Sequence, residues 1–341
     1  MVEASSSSSG SVKILFISVP LMPIEKLLEQ LGNPLQDPHD VVYSQEQYDA
    51  LPNKYEYDCI GIPQGTPVTL PILRDQVINN SKLRWVQSMR TGIDEFLSVA
   101  ELKASAITLS NIRGVWSDSL GEFVAQSMIY FTKRIEDFMN AKAKRQWNPG
   151  FVDLCKTKVV AIIGYGDIGA KAGRICRAFG TKVIAVKRRP EQLPPELREH
   201  CDELVSNDEL DRVYAEADFV VGILPGTPAT VNFFTMESCF SKMKPSGVFV
   251  SLGRGDNVNE PELIEALKSK RIAGASLDVF SEEPLSPESE LWDLPNVYMS
   301  PHCAVWDPGF LVRSVEFTVE NIARFKAGEQ VQNICEKEKG Y

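Results

Sequence analysis

The sequence is short of positive charge and of histidine. Its 36 lysines and arginines face 46 aspartates and glutamates, a net charge of −10. Binding along a nucleic acid requires a basic surface, so that function class is excluded. Long apolar runs are missing as well. None approaches the roughly 20 residues of a membrane span, so no membrane partner is expected. The seven cysteines, at 59, 155, 176, 201, 239, 303 and 335, are odd in number and contain no CxxC pair. Free thiols in a reducing compartment fit them better than a disulfide framework or a zinc site; the compartment expected is the cytoplasm, with organellar import the alternative. The three histidines, His39, His200 and His302, offer no ligand cluster, so no metal is expected. The opening "MVEASSSSSGS" has no apolar h-region, which argues against a secretory leader; residues 1–10 read as a flexible polar tail. The terminal "KGY" is not a peroxisomal address.

What is present is alternation. The chain has 341 residues, too many for one ordinary core and comfortable for two domains. Short β-branched runs at 13–18, 41–44, 58–63, 83–89 and 106–111 read as buried strands, with helix-length stretches between several of them. A helix follows at 119–135, with Ser119 and Glu122 spaced as a capping box and Leu120, Phe123, Val124, Met128, Phe131 and Ile135 on one face. A second series of strands, at 158–163, 182–187, 218–223, 246–251 and 273–277, leads to a final helix ending near Gly328. Such alternation implies parallel strands with crossover helices. The fold class is therefore α/β with two domains and a cleft between them. Residues 11–116 with 306–341 form one domain, and 117–305 the other.

Gly164, Gly166 and Gly169 make GxGxxG between the strand "KVVAII" and a helix, with Asp167 and Ile168 inside the motif. The first glycine permits a tight turn, the second a close approach to pyrophosphate, and the third close packing of helix on strand. The helix N-terminus then faces the anion. An NAD enzyme places a carboxylate against the ribose near the end of the next strand. Here that place holds Lys187, Arg188 and Arg189, which would attract a 2′-phosphate. The expected cofactor is NADPH, with NADH possible.

Three further segments carry reactive side chains. "SLGRG" ends a buried strand and sets Arg254 between Gly253 and Gly255, glycines that keep the backbone open to a cofactor. An arginine there suits a carboxylate, which it grips with two nitrogens. "LDVFSEEPL" places Glu282 and Glu283 before Pro284, where either can hydrogen-bond a histidine ring and hold it protonated. "VYMSPHCAVW" sets His302 after a short apolar strand; His39 and His200 lie in polar loop or helix-end contexts.

From about residue 83 to 328, through "GYGDIG", "ILPGTPAT", "MKPSGVFVSLGRGDNVNEPELIEALKSKRIAGASLDVFSEEPL" and "LPNVYMSPHCA", the chain resembles the D-isomer-specific 2-hydroxyacid dehydrogenases. The resemblance implies a Rossmann dinucleotide-binding domain and a flavodoxin-like substrate domain. It implies Arg254, Glu283 and His302 as the catalytic set and Asp278 as the residue orienting the nicotinamide amide. Pro225 and Thr227 would lie near the adenosine half. Arg90, Thr91, Gly92 and Ile93 would form the loop for the substrate carboxylate. A homodimer through the dinucleotide-binding domain is implied, with the helix at 119–135 in its interface. "PLSPESELWDLPNVYMSPHCAVW" looks most like glyoxylate/hydroxypyruvate reductases that use NADPH, whose partner is a small 2-oxo or 2-hydroxy acid. There are departures. The chain reads "PHCAVWDPG" where relatives have "PHIAG", and Arg90 stands where many have a small or apolar residue. Trp306 either closes the pocket or packs the domain junction. The alternatives are a same-fold dehydrogenase for a larger 2-oxo acid or phosphite, and a dinucleotide-sensing, corepressor-like interaction protein.

Overall fold

The computed structural model describes residues 11–340; the expected tail at 1–10 lies outside them. Two compact units emerge. One takes the described residues up to Val115 together with those from Asp307 onward, and the other is Trp116–Trp306.

In the first unit, strands β1 (Ile14–Ile17), β2 (His39–Val42), β3 (Cys59–Ile62), β4 (Trp85–Ser88) and β5 (Thr108–Ser110) form a parallel sheet in the order β2-β1-β3-β4-β5. This is the flavodoxin-like order, whose direction reverses between β1 and β3. Side chains alternate between its faces as strand geometry requires. Leu15, Ile17, Ile60, Ile62, Val86 and Leu109 bury on one face, and Ile14, Phe16, Cys59 and Trp85 on the other. The helix Phe310–Lys326 adds Val315 and Ile322 to the second face. A buried polar chain crosses the same unit. Trp85 Nε1 donates to Ser110 Oγ at 2.8 Å, and Gln87 Oε1 accepts from Ser110 Oγ at 2.8 Å and from Asn321 Nδ2 at 2.9 Å. Buried polar groups cost stability unless paired, and these are paired.

The second unit holds strands β6 (Val159–Ile163), β7 (Lys182–Val186), β8 (Glu203–Val205), β9 (Phe219–Gly222), β10 (Val248–Ser251), β11 (Gly274–Leu277) and β12 (Val297–Met299). All pairs are parallel, in the order β12-β11-β10-β9-β6-β7-β8, a doubly wound Rossmann sheet. One face buries Ile163, Val186, Val220, Phe249 and Leu277 beneath the helices Leu210–Glu216 and Glu260–Lys268. The other buries Ile162, Val183, Val221 and Val250 beneath Ser117–Thr132 and Asp167–Ala178.

Three local expectations need correction. The helix expected at 119–135 runs Ser117–Thr132; Arg134 turns at φ +52° and a separate helix, Ile135–Ala143, follows. Ser119 therefore lies inside the helix and caps nothing. Its hydroxyl donates to the carbonyl of Ala304 instead. His39, expected in a loop, opens β2, and β8 has no counterpart in the hydrophobic pattern. "ELV" is too short and too charged at its start for alternation to reveal it; pairing with β7 creates it.

Candidate active site

The sheet of the second unit gathers most of the candidate residues at one end. Gly164 follows β6, Lys187 follows β7, and Pro225 and Thr227 lie in the loop after β9. Arg254 lies beyond β10, Asp278 follows β11, and His302 lies beyond β12. Open parallel sheets bind ligands at their carboxyl ends, beside the point where strand order reverses, here between β6 and β9.

Gly164 has φ +88°, and a Cβ there would lie 2.4 Å from the carbonyl oxygen of Ile223, so only glycine fits. At Gly169 a Cβ would come within 3.1 Å of the Tyr165 ring and 3.2 Å of Ile162, so helix and strand are in close contact. Gly166 differs, because a Cβ there would meet nothing within 4 Å. Nothing in the protein demands that glycine, and the space over it suits a ligand. Among the described residues no acceptor meets the backbone N–H groups of Gly166, Asp167 and Ile168 at this helix N-terminus. Asp167 Oδ2 is buried without a partner there. The open cradle and unused donors fit a dinucleotide pyrophosphate. Lys187 Nζ reaches back to the carbonyl of Tyr165 at 3.3 Å, while Arg188 and Arg189 are more exposed beside it.

The acid–base pair is formed. His302 Nδ1 lies 2.7 Å from Glu283 Oε2, and Glu283 Oε1 accepts the N–H of Phe280 at 3.0 Å. Burial of Glu283 opposes ionisation, but hydrogen bonds from His302 and Phe280, with the charges of His302 and Arg254, outweigh it and lower its pKa. An ionised carboxylate requires Nδ1 to donate, which leaves Nε2 as the ring's working atom. No described group meets Nε2. Glu282, the other candidate, makes no hydrogen bond or ion pair among the described residues.

Asp278 holds this arrangement in place. Its Oδ1 accepts from Ser300 Oγ at 2.6 Å and from the N–H groups of Cys303 at 3.0 Å and Ala304 at 3.1 Å. The backbone carbonyl of Asp278 accepts the His302 N–H at 2.8 Å. Burial raises the Asp278 pKa, against the pull of these three donors. Arg254 donates from Nη1 to the carbonyl of Gly253 at 3.0 Å, and its backbone N–H meets Asn257 Oδ1 at 3.0 Å. The glycines beside it have a different cause from the one expected. A Cβ at Gly253 would lie 2.4 Å from the Leu224 carbonyl oxygen, and one at Gly255 1.7 Å from that of Phe280. Neighbouring backbone, not an open cofactor surface, demands them. Trp306 is 56% exposed and belongs to neither core.

In the first unit, the loop after β4 carries the other candidates. Ser88 Oγ donates to the Arg90 carbonyl at 3.0 Å and accepts its N–H at 3.1 Å; Asn111 Nδ2 donates to the Thr91 carbonyl at 2.7 Å. With those carbonyls occupied, the N–H groups of Thr91, Gly92 and Ile93 meet no acceptor among the described residues. Three consecutive amides in this loop are thus donors without an acceptor.

Sequence reasoning missed the supporting residues. Asn257, buried in a turn, joins the Arg254 N–H to the carbonyls of Pro225 and Thr230, both 3.2 Å from its Nδ2. Thr230 Oγ1 accepts the N–H of Thr227 at 3.0 Å. The Thr-x-x-Thr spacing was a legible turn signal. Asn257 had none, because the carbonyls it meets belong to the loop after β9.

Topology and turn together define an α/β protein of the dinucleotide-binding class. A model of the D-isomer specific 2-hydroxyacid dehydrogenase NAD binding domain matches residues 125–304. A glyoxylate reductase of Korarchaeum cryptofilum is 30% identical over 266 residues, 75% of this chain and 77% of that protein. A glyoxylate/hydroxypyruvate reductase A of Citrobacter koseri is 27% identical over 272 residues, 78% and 84% of the two chains. The structure of the NADPH-dependent glyoxylate/hydroxypyruvate reductase of Sinorhizobium meliloti, in complex with NADP and sulfate, is similar with TM-score 0.79 and 26% identity, covering 97% of this chain and 100% of that one. The chain belongs to the D-isomer specific 2-hydroxyacid dehydrogenase family. It is an oxidoreductase of that family, and its cofactor is a nicotinamide dinucleotide.

Proposed function

We propose that the protein is an NADPH-dependent reductase of small 2-oxo acids such as glyoxylate and hydroxypyruvate, forming the D-2-hydroxy acids. The observation that carries this reading is the 2.7 Å contact of His302 with an ionised Glu283, at the same sheet end as the glycine turn and Arg254. The nicotinamide, when bound, supplies the hydride. His302 donates a proton from Nε2 to the substrate's carbonyl oxygen as negative charge develops there. Glu283 receives the Nδ1–H and stabilises the protonated ring before transfer. Arg254 polarises the same carbonyl and helps bind the carboxylate. The amides of residues 91–93 hold the carboxylate, and Trp306 borders the substrate. Pro225 and Thr227 line the adenosine half, while Asp278, besides holding the His302 loop, orients the nicotinamide amide. Lys187, Arg188 and Arg189 select the 2′-phosphate. The S. meliloti relative, described as NADPH-dependent, supports that selection.

The seven unpaired thiols support a cytoplasmic location. A homodimer through the second unit is supported by large apolar side chains exposed between 135 and 154. Met139, Trp147 and Phe151 are 55%, 96% and 98% exposed.

The test is NADPH oxidation against a panel of 2-oxo acids, run with the native chain and His302→Ala. We expect turnover of glyoxylate and hydroxypyruvate, reduced by at least roughly a hundredfold in the variant, with NADPH binding retained. Near-normal turnover by His302→Ala would refute the mechanism. Tight dinucleotide binding without reduction of any 2-oxo acid by NADPH, and without reduction of NADP+ by phosphite, would point to an interaction protein.

A further inference from the structure

We propose that Arg90 forms a subsite for a second anionic group, so that the preferred substrate is a 2-oxo acid bearing a distal carboxylate. The inference rests on the reductase reading and names the substrate class of that same site.

Arg90 leaves the carboxyl end of β4 with its backbone clamped on both sides. Ser88 Oγ bonds its N–H and its carbonyl, and the Ile112 N–H reaches that carbonyl at 3.4 Å. Gln87 Nε2 in turn holds the Ser88 carbonyl at 2.6 Å, which ties the loop to the buried Gln87–Ser110–Asn321 network. The position of the residue is thus set by the core.

The side chain is treated differently. Only 27% of it is exposed, yet its sole ionic partner among the described residues is Glu95, with Nη1 3.9 Å from Oε1. That is beyond hydrogen-bonding range, so among the described residues none of the guanidinium donors has an acceptor. Glu95 is itself tethered. Its Oε2 accepts the Gly65 N–H at 2.9 Å, and its Cβ crowds Gly65 so closely that an added Cβ there would be 2.7 Å away. Glu95 offsets the charge of Arg90 without occupying its planar fork. A largely buried arginine with an open fork is suited to a carboxylate, which it can bind through two parallel bonds.

One carboxylate cannot use every donor here. Its two oxygens offer about four acceptor positions. The three free amides of residues 91–93 already take most of them, and the Arg90 fork brings two donors more. The amides suit the carboxylate next to the carbonyl carbon, leaving the fork for an anion at the other end of the substrate. Glyoxylate has no such group.

The experiment compares acids of matched length: oxaloacetate against 2-oxobutyrate, and 2-oxoglutarate against 2-oxovalerate. The native chain, Arg90→Met and Arg90→Lys are each assayed by NADPH oxidation, with circular dichroism to confirm folding. In the native chain, kcat/KM should be about tenfold or more higher for the diacid of each pair, the value of one well-made ion pair. Added salt should shrink that advantage. Arg90→Met should abolish the diacid-to-monoacid ratio, and Arg90→Lys should keep part of it. A ratio at or below one in the native chain, or one unchanged by Arg90→Met, overturns the subsite. If no acid is reduced, the reductase reading fails instead, and melting temperature with succinate decides the subsite. Stabilisation of the native chain but not of Arg90→Met supports it, and equal shifts or none refute it.

Discussion

His302 adopts φ +48°, a left-handed conformation that costs a non-glycine residue about 1–2 kcal/mol. The structure offsets this through Asp278, whose carboxylate takes three hydrogen bonds from the segment around the histidine. These bonds tie the turn to the end of β11, while burial of the carboxylate works against its ionised form. Glu283 then fixes the ring. Because its pKa in the folded chain lies below its unfolded value, the pair stabilises the fold above the ordinary glutamate range; that contribution disappears as pH falls through the lowered value. Replacing Glu283 with Gln keeps an acceptor but removes the charge. Without that charge beside the ring, kcat/KM for a 2-oxo acid should fall by about tenfold or more. An unchanged kcat/KM would show that the carboxylate does not assist the proton donor. At this scale the identities of Arg254, Glu283 and His302 were readable from motif and order. The role of Asp278 in holding the loop was not, since its partners belong to the next strand's loop.

At the scale of elements, strands and helices were mostly visible as hydrophobic periodicity, and boundaries were less so. The helix begins at Ser117, two residues before the expected cap, so the Ser119 hydroxyl lies within the first turn and bonds the Ala304 carbonyl. The unit β6–turn–helix–β7 is where local pattern and chemistry agree best. Its glycines, unused amides and basic strand end were all legible in one short stretch, because each partner lies within a few tens of residues. The cofactor prediction belongs here. If Lys187 and Arg188 each hold the 2′-phosphate of NADPH, Lys187→Asp combined with Arg188→Ala removes two charge-assisted bonds and adds repulsion. At about 1.5 kcal/mol for each such bond, the NADPH-to-NADH ratio of kcat/KM should fall by roughly a hundredfold or more. An unchanged ratio would assign the basic cluster to the solvated surface.

For the whole molecule, the division into two α/β units was implied by two runs of alternating strands and helices. The return of Phe310–Lys326 to the first unit followed the same logic, and its Asn321 completes that unit's buried network. Assembly is the prediction at this scale. If the exposed apolar side chains beyond Ile135 are covered by a second copy, light scattering should give twice the chain mass. Trp147→Asp with Phe151→Asp should return it to one. A native chain that stays monomeric at high concentration would refute the dimer.

By itself the sequence determined the period of each buried face, the glycine spacing of the turn and the basic residues at the end of β7. These are properties of neighbours along the chain. Only the tertiary structure decided why Gly253 and Gly255 must be glycine, which atoms Asp278 holds, and that Ser119 bonds Ala304, 185 residues away. The physical reason is the same in each case. A backbone oxygen or a hydroxyl has no identity that sequence spacing can reveal until folding brings distant strand ends together, and close packing then leaves room for one choice.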